Sequence, residues 1–164
     1  MNRSEIGAYP LPGGKVLLTL GMLKQVKNES ELAAVLAHEI AHVLKRHQLQ
    51  SLSSDSAQTN LGAVTVALPP SQEFEADRMA AVILARAGYD PAAYLQVLGR
   101  LQSDRSNDAG LAMLRAVHPP FAERIAQLQP VLQQLGASTA QSPTAPQRAR
   151  WGAAVGSLSG GPRR

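Results

Sequence analysis

The spacing of apolar and polar residues changes along the chain, and each change of period marks an expected element. Ala8–Leu11 and Lys15–Leu20 are short β-prone runs around Pro12-Gly13-Gly14, which predicts two strands joined by a turn. Pro10 lacks an N–H, so the first strand is expected at a sheet edge. A short helix is expected from Gly21 to near Lys27. The strongest helical pattern runs from Glu29 to His47, where Leu32, Val35, Leu36, Ile40, Val43 and Leu44 recur three and four residues apart. Asn28 and Glu31 make a capping box at its start. Ala33, Ala34, Ala37 and Ala41 keep it apolar nearly all round until Lys45, as in a helix at the middle of a fold.

Residues 48–62 are polar and Ser-rich and read as a loop; 63–68 is a short apolar stretch of either type. After Pro69-Pro70, Ser71 can cap a second helix to about residue 87, ended by Gly88. Asp90-Pro91 opens a third helix to about Gln102, and 103–110 reads as a loop. Pro119-Pro120 introduces a last helix, kinked near Pro130. From 137 to 164 Ala, Ser, Thr, Pro, Gln, Gly and Arg dominate without an acidic residue, the composition of a disordered tail. The expected fold is α+β, mostly α, with a small N-terminal sheet over the Glu29–His47 helix.

Composition narrows the classes of function. The 164 residues suffice for one domain with a core. The net charge of +4 invites a nucleic-acid reading, but Lys+Arg and Asp+Glu cancel over residues 1–136. The excess lies in Arg148, Arg150, Arg163 and Arg164, with Trp151 the one aromatic residue beside them, so no nucleic-acid partner is expected. There are no cysteines, hence neither disulfides nor thiolate ligands. No signal peptide is evident, and no apolar run reaches the ~20 residues of a membrane span. The chain as written is therefore expected to be soluble, and it carries no address for a compartment.

The chemistry concentrates in His38-Glu39-Ile40-Ala41-His42, an HExxH pattern. Residues four apart share a helix face, so two imidazoles there converge on one Zn²⁺. Glu39 is offset around the helix and reaches water at the metal instead of the metal itself. The competing reading, a chance pattern on a structural helix, must explain three ionisable groups on an otherwise apolar surface. A catalytic zinc needs a third protein ligand. Lys45 and Gln48 stand where a metzincin would carry glycine and histidine. Downstream, Glu73 suits a carboxylate ligand, and Asp77, one turn on, suits an acceptor for a ligand histidine's other N–H. A solvated helix face is the alternative for these acids and is preferred for Glu75; a polar helix end is preferred for Arg46 and His47.

These motifs resemble the HtpX and CAAX-prenyl-protease type of zinc metallopeptidases, peptidase family M48. Ala8-Tyr9-Pro10-Leu11-Pro12-Gly13-Gly14 is similar to the family's Asn-Ala-Phe-x-x-Pro-Gly-Gly stretch. Glu31 to Ala37 leads into HExxH as it does there, Ser71 to Asp77 is similar to Ser-x-x-Glu-x-x-Ala-Asp with one residue fewer between Ser71 and Glu73, and His118-Pro119-Pro120 with Arg124 matches His-Pro-x…Arg. The likeness runs in order from about Gly7 to Leu128, which implies a metallopeptidase domain over 1–136 of gluzincin type. It implies one zinc on His38, His42 and Glu73, with Asp77 in support. It also implies His118 near the metal, as a displaceable ligand or transition-state donor, against a bland capping role. Arg124 is implied either to pair with a structural carboxylate or to face the oxyanion. Two departures stand out: the interval from His42 to Glu73 is short and lacks the family's membrane-spanning insert, and Gly7 and Pro10 replace common residues of the cleft strand.

The expected activity is zinc-dependent endoproteolysis of proteins, with misfolded or envelope proteins as substrates and the bacterial periplasm or cell envelope as the implied compartment. Membrane contact is a family possibility without a spanning segment here. A substrate peptide would pair along Ala8, Tyr9, Pro10 and Leu11, and Glu39 would act as general base. The rival is a metal-binding pseudoprotease or chaperone-like adaptor of the same fold, against which the intact Glu39 argues.

Overall fold

The computed structural model describes residues 4–11, 13–52, 67–137 and 142–159. Strands β1 (Ala8–Leu11) and β2 (Lys15–Leu18) pair antiparallel, Ala8 opposite Leu18 and Leu11 opposite Lys15. The hairpin matches the expectation, and Gly13 and Gly14 take positive φ in the turn, which glycine adopts without a Cβ clash. The expected strand to Leu20 stops at Leu18, because Thr19 caps helix α1 (Leu20–Gln25) by accepting from the Met22 N–H.

Helix α2 (Glu29–Lys45) occupies the middle of the fold and touches β1, β2, α4 (Pro70–Arg86), α5 (Ala93–Ser103) and α8 (Ala145–Ser159). Asn28 accepts from the Glu31 N–H at 3.0 Å, as the capping box requires. The Glu31 carboxylate is buried and held by the Lys27 N–H and by both terminal nitrogens of Arg100 on α5. The all-round apolar pattern proves only partly buried: Ile40 and Leu44 are exposed, while Ala34, Ala37 and Ala41 line the core side.

The chain departs from the expected helix at Arg46, whose φ of 55° ends α2, and His47 begins a separate helix α3 (His47–Leu52). Residues 48–52, expected as loop, thus belong to α3, while 53–62 of that loop and 63–66 of the apolar stretch lie outside the described residues. Helix α4 (Pro70–Arg86) starts after Pro69 without a side-chain cap, so Ser71 does not cap it; Gly88 closes the end at φ 76°. Ala34 and Ala41 on α2 and Ala76, Ala80 and Ala81 on α4 are fully buried, and side chains this short let the two helices approach closely.

Helix α5 (Ala93–Ser103) supplies Tyr94, Val97, Leu98 and Leu101 to the core. Helix α6 (Ala109–Val117) begins at Asp108, whose carboxylate accepts from the N–H groups of Leu111 and of Ile6 in the N-terminal segment. That segment passes so close that a Cβ on Gly110 would lie 2.1 Å from the Ile6 carbonyl oxygen. Helix α7 (Phe121–Gln134) follows Pro120, keeps Pro130 inside it, and packs against α4 and α5.

The disordered tail expected from 137 onward is corrected over residues 145–159, which form helix α8 (Ala145–Ser159). Thr144 and Gln147 cap its start reciprocally through side chain and backbone. Arg150 then grips Glu29, which also accepts from the Tyr89 hydroxyl, and Trp151 packs against the core. Composition misled here because alanine and arginine favour helix once capped and given an acidic anchor.

Candidate functional site

The four-residue spacing on α2 turns His38 and His42 toward α4, and the same spacing there turns Glu73 and Asp77 toward α2. All four are buried. The Nε2 atoms of His38 and His42 lie 3.1 Å apart. Glu73 places Oε2 3.6 Å from His38 Nε2 and Oε1 3.6 Å from His42 Nε2. Two ligand atoms at about 2.0–2.1 Å from one tetrahedral ion are separated by ~3.3 Å, so this triangle has the size of a metal site. The three residues form the one group of potential ligands found among the described residues, its atoms within 4.8 Å of one another.

The donor set itself fits a cation. Glu73 Oε2 is buried without a hydrogen-bond partner, an acceptor 3.6 Å from both His38 Nε2 and His118 Nε2. Burial pushes the Glu73 carboxyl above its ordinary pKa, the mark of a negative charge wanting compensation. His42 is pulled down to about 2 by burial and by the charges of its neighbouring histidines, so its ring stays neutral and its lone pair free.

Behind the triangle lies a buried polar cluster. His38 Nδ1 is 3.0 Å from Asp77 Oδ1, which fixes the His38 tautomer and leaves Nε2 for a metal. Asp77 also accepts from Arg124 Nε and Nη2 and from the Tyr94 hydroxyl, which in turn accepts from Arg124. Burial alone would raise the Asp77 carboxyl, but the charge and hydrogen bonds of Arg124 outweigh it and hold Asp77 well below the usual carboxylate range. Of the two roles open to Arg124, the geometry displays carboxylate pairing. Tyr94 had no signal in the sequence.

Glu39 borders two small cavities of about 40 and 30 Å³. Burial, with the Glu73 charge adding and His38 and Arg124 partly offsetting, pushes its carboxyl up to about 7. The first cavity runs into the core along Met22, Val35, Val97 and Phe121; the second is walled by Ala8, Tyr9 and Pro10 of β1. Leu11 belongs to the same strand and is partly buried. His118 is the residue that ends α6 and does not cap α7. It borders both cavities, with Nδ1 3.0 Å from the Leu114 carbonyl and Nε2 3.6 Å from Glu73 Oε2.

At Gly7 the space a Cβ would take is filled by the end of the Tyr9 side chain, 2.3 Å away at the hydroxyl oxygen. Two residues read as bland do more than expected. His47 is buried with Nδ1 3.0 Å from His42 Nδ1, and its Nε2 is 3.3 Å from Glu75 Oε2. Glu75 pairs through its other oxygen with Lys45, whose hydrogen bond lowers the carboxyl pKa.

Comparison with known proteins places the chain among metallopeptidases. The beta-barrel assembly-enhancing protease of Escherichia coli K12 is 27% identical over 172 residues, covering 87% of this chain and 35% of that protein. The mitochondrial metalloendopeptidase OMA1 of Arabidopsis thaliana is 30% identical over 129 residues, covering 66% of this chain and 27% of that protein. The OMA1 of Saccharomyces cerevisiae is 31% identical over 142 residues, covering 72% and 41%. The chain thus spans roughly a quarter to two fifths of these relatives' lengths. The family model described as peptidase family M48 matches residues 1–71 and 55–131. On that match over most of its length, the chain belongs to peptidase family M48.

Proposed function

We propose that this domain is a zinc-dependent endopeptidase in which His38, His42 and Glu73 hold the metal. The observation that carries the reading is the buried triangle of His38, His42 and Glu73, with its unsatisfied Glu73 oxygen and Glu39 one residue along on the cavity side. Zinc held there supplies Lewis acidity toward water and the scissile carbonyl.

The chain's own residues do the rest. Glu39 accepts a proton from the attacking water at its carboxylate and returns it to the leaving amine. Its desolvated carboxylate is a stronger base than an exposed one. Asp77 holds the His38 tautomer, and Arg124 with Tyr94 holds Asp77. A peptide substrate adds as a strand along the edge of β1 away from β2, beside the cavity that reaches Glu39 and His42.

No helix among the described residues is long and apolar enough to cross a membrane. Relatives named for enhancing β-barrel assembly support proteins of the bacterial envelope as the substrate class.

The test is twofold. Purified protein should carry about one zinc, as a three-ligand site implies, and cleave casein in a manner abolished by chelator and restored by zinc. Glu39→Gln should keep the zinc and lose roughly 10²-fold or more in rate. Full zinc occupancy in a His38→Ala/His42→Ala double variant would end the reading. An active-site-intact protein that binds zinc and cleaves nothing would favour the adaptor alternative.

A further inference from the structure

We propose that His47 and Glu75 form a hydrogen-bonded relay that sets the tautomer and aim of His42, making His47 a positioning residue for the metal. The proposal rests on the reading of His42 as a ligand and adds to it a part of the site outside the ligand set.

The argument is one of proton accounting. Two imidazole Nδ1 atoms 3.0 Å apart hold one proton between them, since one must donate and the other accept. His42 turns Nε2 toward His38 and Glu73, so a metal there takes the Nε2 lone pair and leaves the His42 proton on Nδ1. His47 Nδ1 must then accept, which puts the His47 proton on Nε2. That N–H points at Glu75 Oε2, 3.3 Å away, an oxygen of a carboxylate whose other oxygen pairs with Lys45. Each link fixes the next.

The two ligand histidines are thus supported differently. His38 donates directly to a carboxylate, Asp77. His42 reaches its carboxylate through a second imidazole, because Glu75 points to the far side of His47 and is 40% exposed. The left-handed turn at Arg46 makes this possible. On an unbroken helix a residue five beyond His42 would lie about 140° around the axis from it. The turn folds the chain back and buries His47 against the ring it supports.

The experiment measures zinc affinity of the full chain by equilibrium competition with a chromophoric chelator, alongside ¹⁵N-histidine NMR of the zinc-loaded protein. His47→Phe should weaken zinc roughly 10–100-fold, the range for such outer partners. Since His47 is buried and its replacement can disturb folding, the half-exposed Glu75 provides the second variant. Glu75→Ala should weaken zinc several-fold, and Glu75→Gln, which keeps an acceptor, should recover part of the loss. NMR should show His47 with its proton on Nε2 and a bare Nδ1, a signature that simple packing does not specify. His47 protonated on Nδ1, or folded His47→Phe and Glu75→Ala proteins with wild-type affinity, would overturn the relay while leaving the metal site intact. A wild-type protein that binds no zinc would overturn the site and the relay together.

Discussion

Arg124 and Asp77 form a buried ion pair in which Nε donates to Oδ2 at 2.9 Å and Nη2 to Oδ1 at 2.7 Å. Removing one partner leaves the other charge stranded out of water. Arg124→Met should therefore destabilise the metal-free domain by about 3–5 kcal/mol, the usual cost of breaking such a pair. Urea unfolding provides the measurement, and Arg124→Met with Asp77→Asn should cost less than Arg124→Met alone. Because the folded Asp77 pKa is depressed, its stabilisation is present above the ordinary value of 3.8 and is lost as pH falls below it. A single variant within ~1 kcal/mol of wild type would remove the pair from the structural account.

His38 and His42 were legible in the sequence because they lie on one helix at a spacing of four, where local geometry alone decides the face. Glu73 sits on another helix and was legible through its own four-residue pairing with Asp77 and the family resemblance. Asp77 was legible for the same reason. Tyr94, His47 and Glu75 were not, because their contacts depend on how α5 docks and on one positive φ at Arg46, a residue with no glycine to announce it. The tail helix did leave a signal: Thr144-Ala145-Pro146-Gln147 is a capping-box pattern with a proline in the first turn, set within a disorder-like composition.

That helix gives the second prediction. Its Arg150–Glu29 pair is largely exposed on the arginine side, so Arg150→Ala should cost at most about 1 kcal/mol. Deleting residues 142–164 also removes Trp151 from the core edge and should cost on the order of 2 kcal/mol, with the fold retained. Thermal unfolding of both variants checks this, and complete unfolding on truncation would make α8 an obligatory part of the domain.

Glu39 yields a prediction with a definite sign. Its folded pKa of about 7 exceeds its ordinary 4.5, so the folded metal-free protein binds the extra proton between those values. Stability from this group is full below pH 4.5 and declines as pH rises through 7. Glu39→Gln should thus stabilise the metal-free protein at pH 8 by up to about 3 kcal/mol relative to wild type, and by little at pH 4. Equal effects at both pH values would show that the buried carboxylate is not strained.

Pro10 bears on substrate alignment. Thr19 N–H bonds to the Gly7 carbonyl, and the antiparallel alternation from that pair turns Tyr9 and Leu11 toward β2 and Ala8 and Pro10 toward the opposite edge. The missing N–H therefore costs the hairpin nothing but removes one donor from the edge proposed for substrate. Pro10→Ala should lower KM several-fold, about one hydrogen bond's net worth, with kcat little changed. An unchanged or higher KM in a folded variant would move the substrate off β1.

The last prediction chooses between the two site roles considered for His118. Its Nδ1 lies 3.0 Å from the Leu114 carbonyl, which can only accept, so the ring proton sits on Nδ1. Burial, with the Arg124 charge adding, pushes the ring down to about 3, which keeps it neutral in ordinary buffers. Nε2 therefore offers a lone pair toward Glu73 Oε2, 3.6 Å away, and two such acceptors facing each other suit a shared cation. A bare nitrogen can take an open metal position but cannot donate to an oxyanion. His118→Ala should accordingly raise basal peptide hydrolysis, with Glu39 still essential and zinc still bound. Initial rates of the single variant and of its combination with Glu39→Gln are the measurement. A fall in turnover of ~10²–10³-fold in folded, zinc-loaded His118→Ala would instead assign the proton to Nε2 at the transition state and make His118 an oxyanion donor.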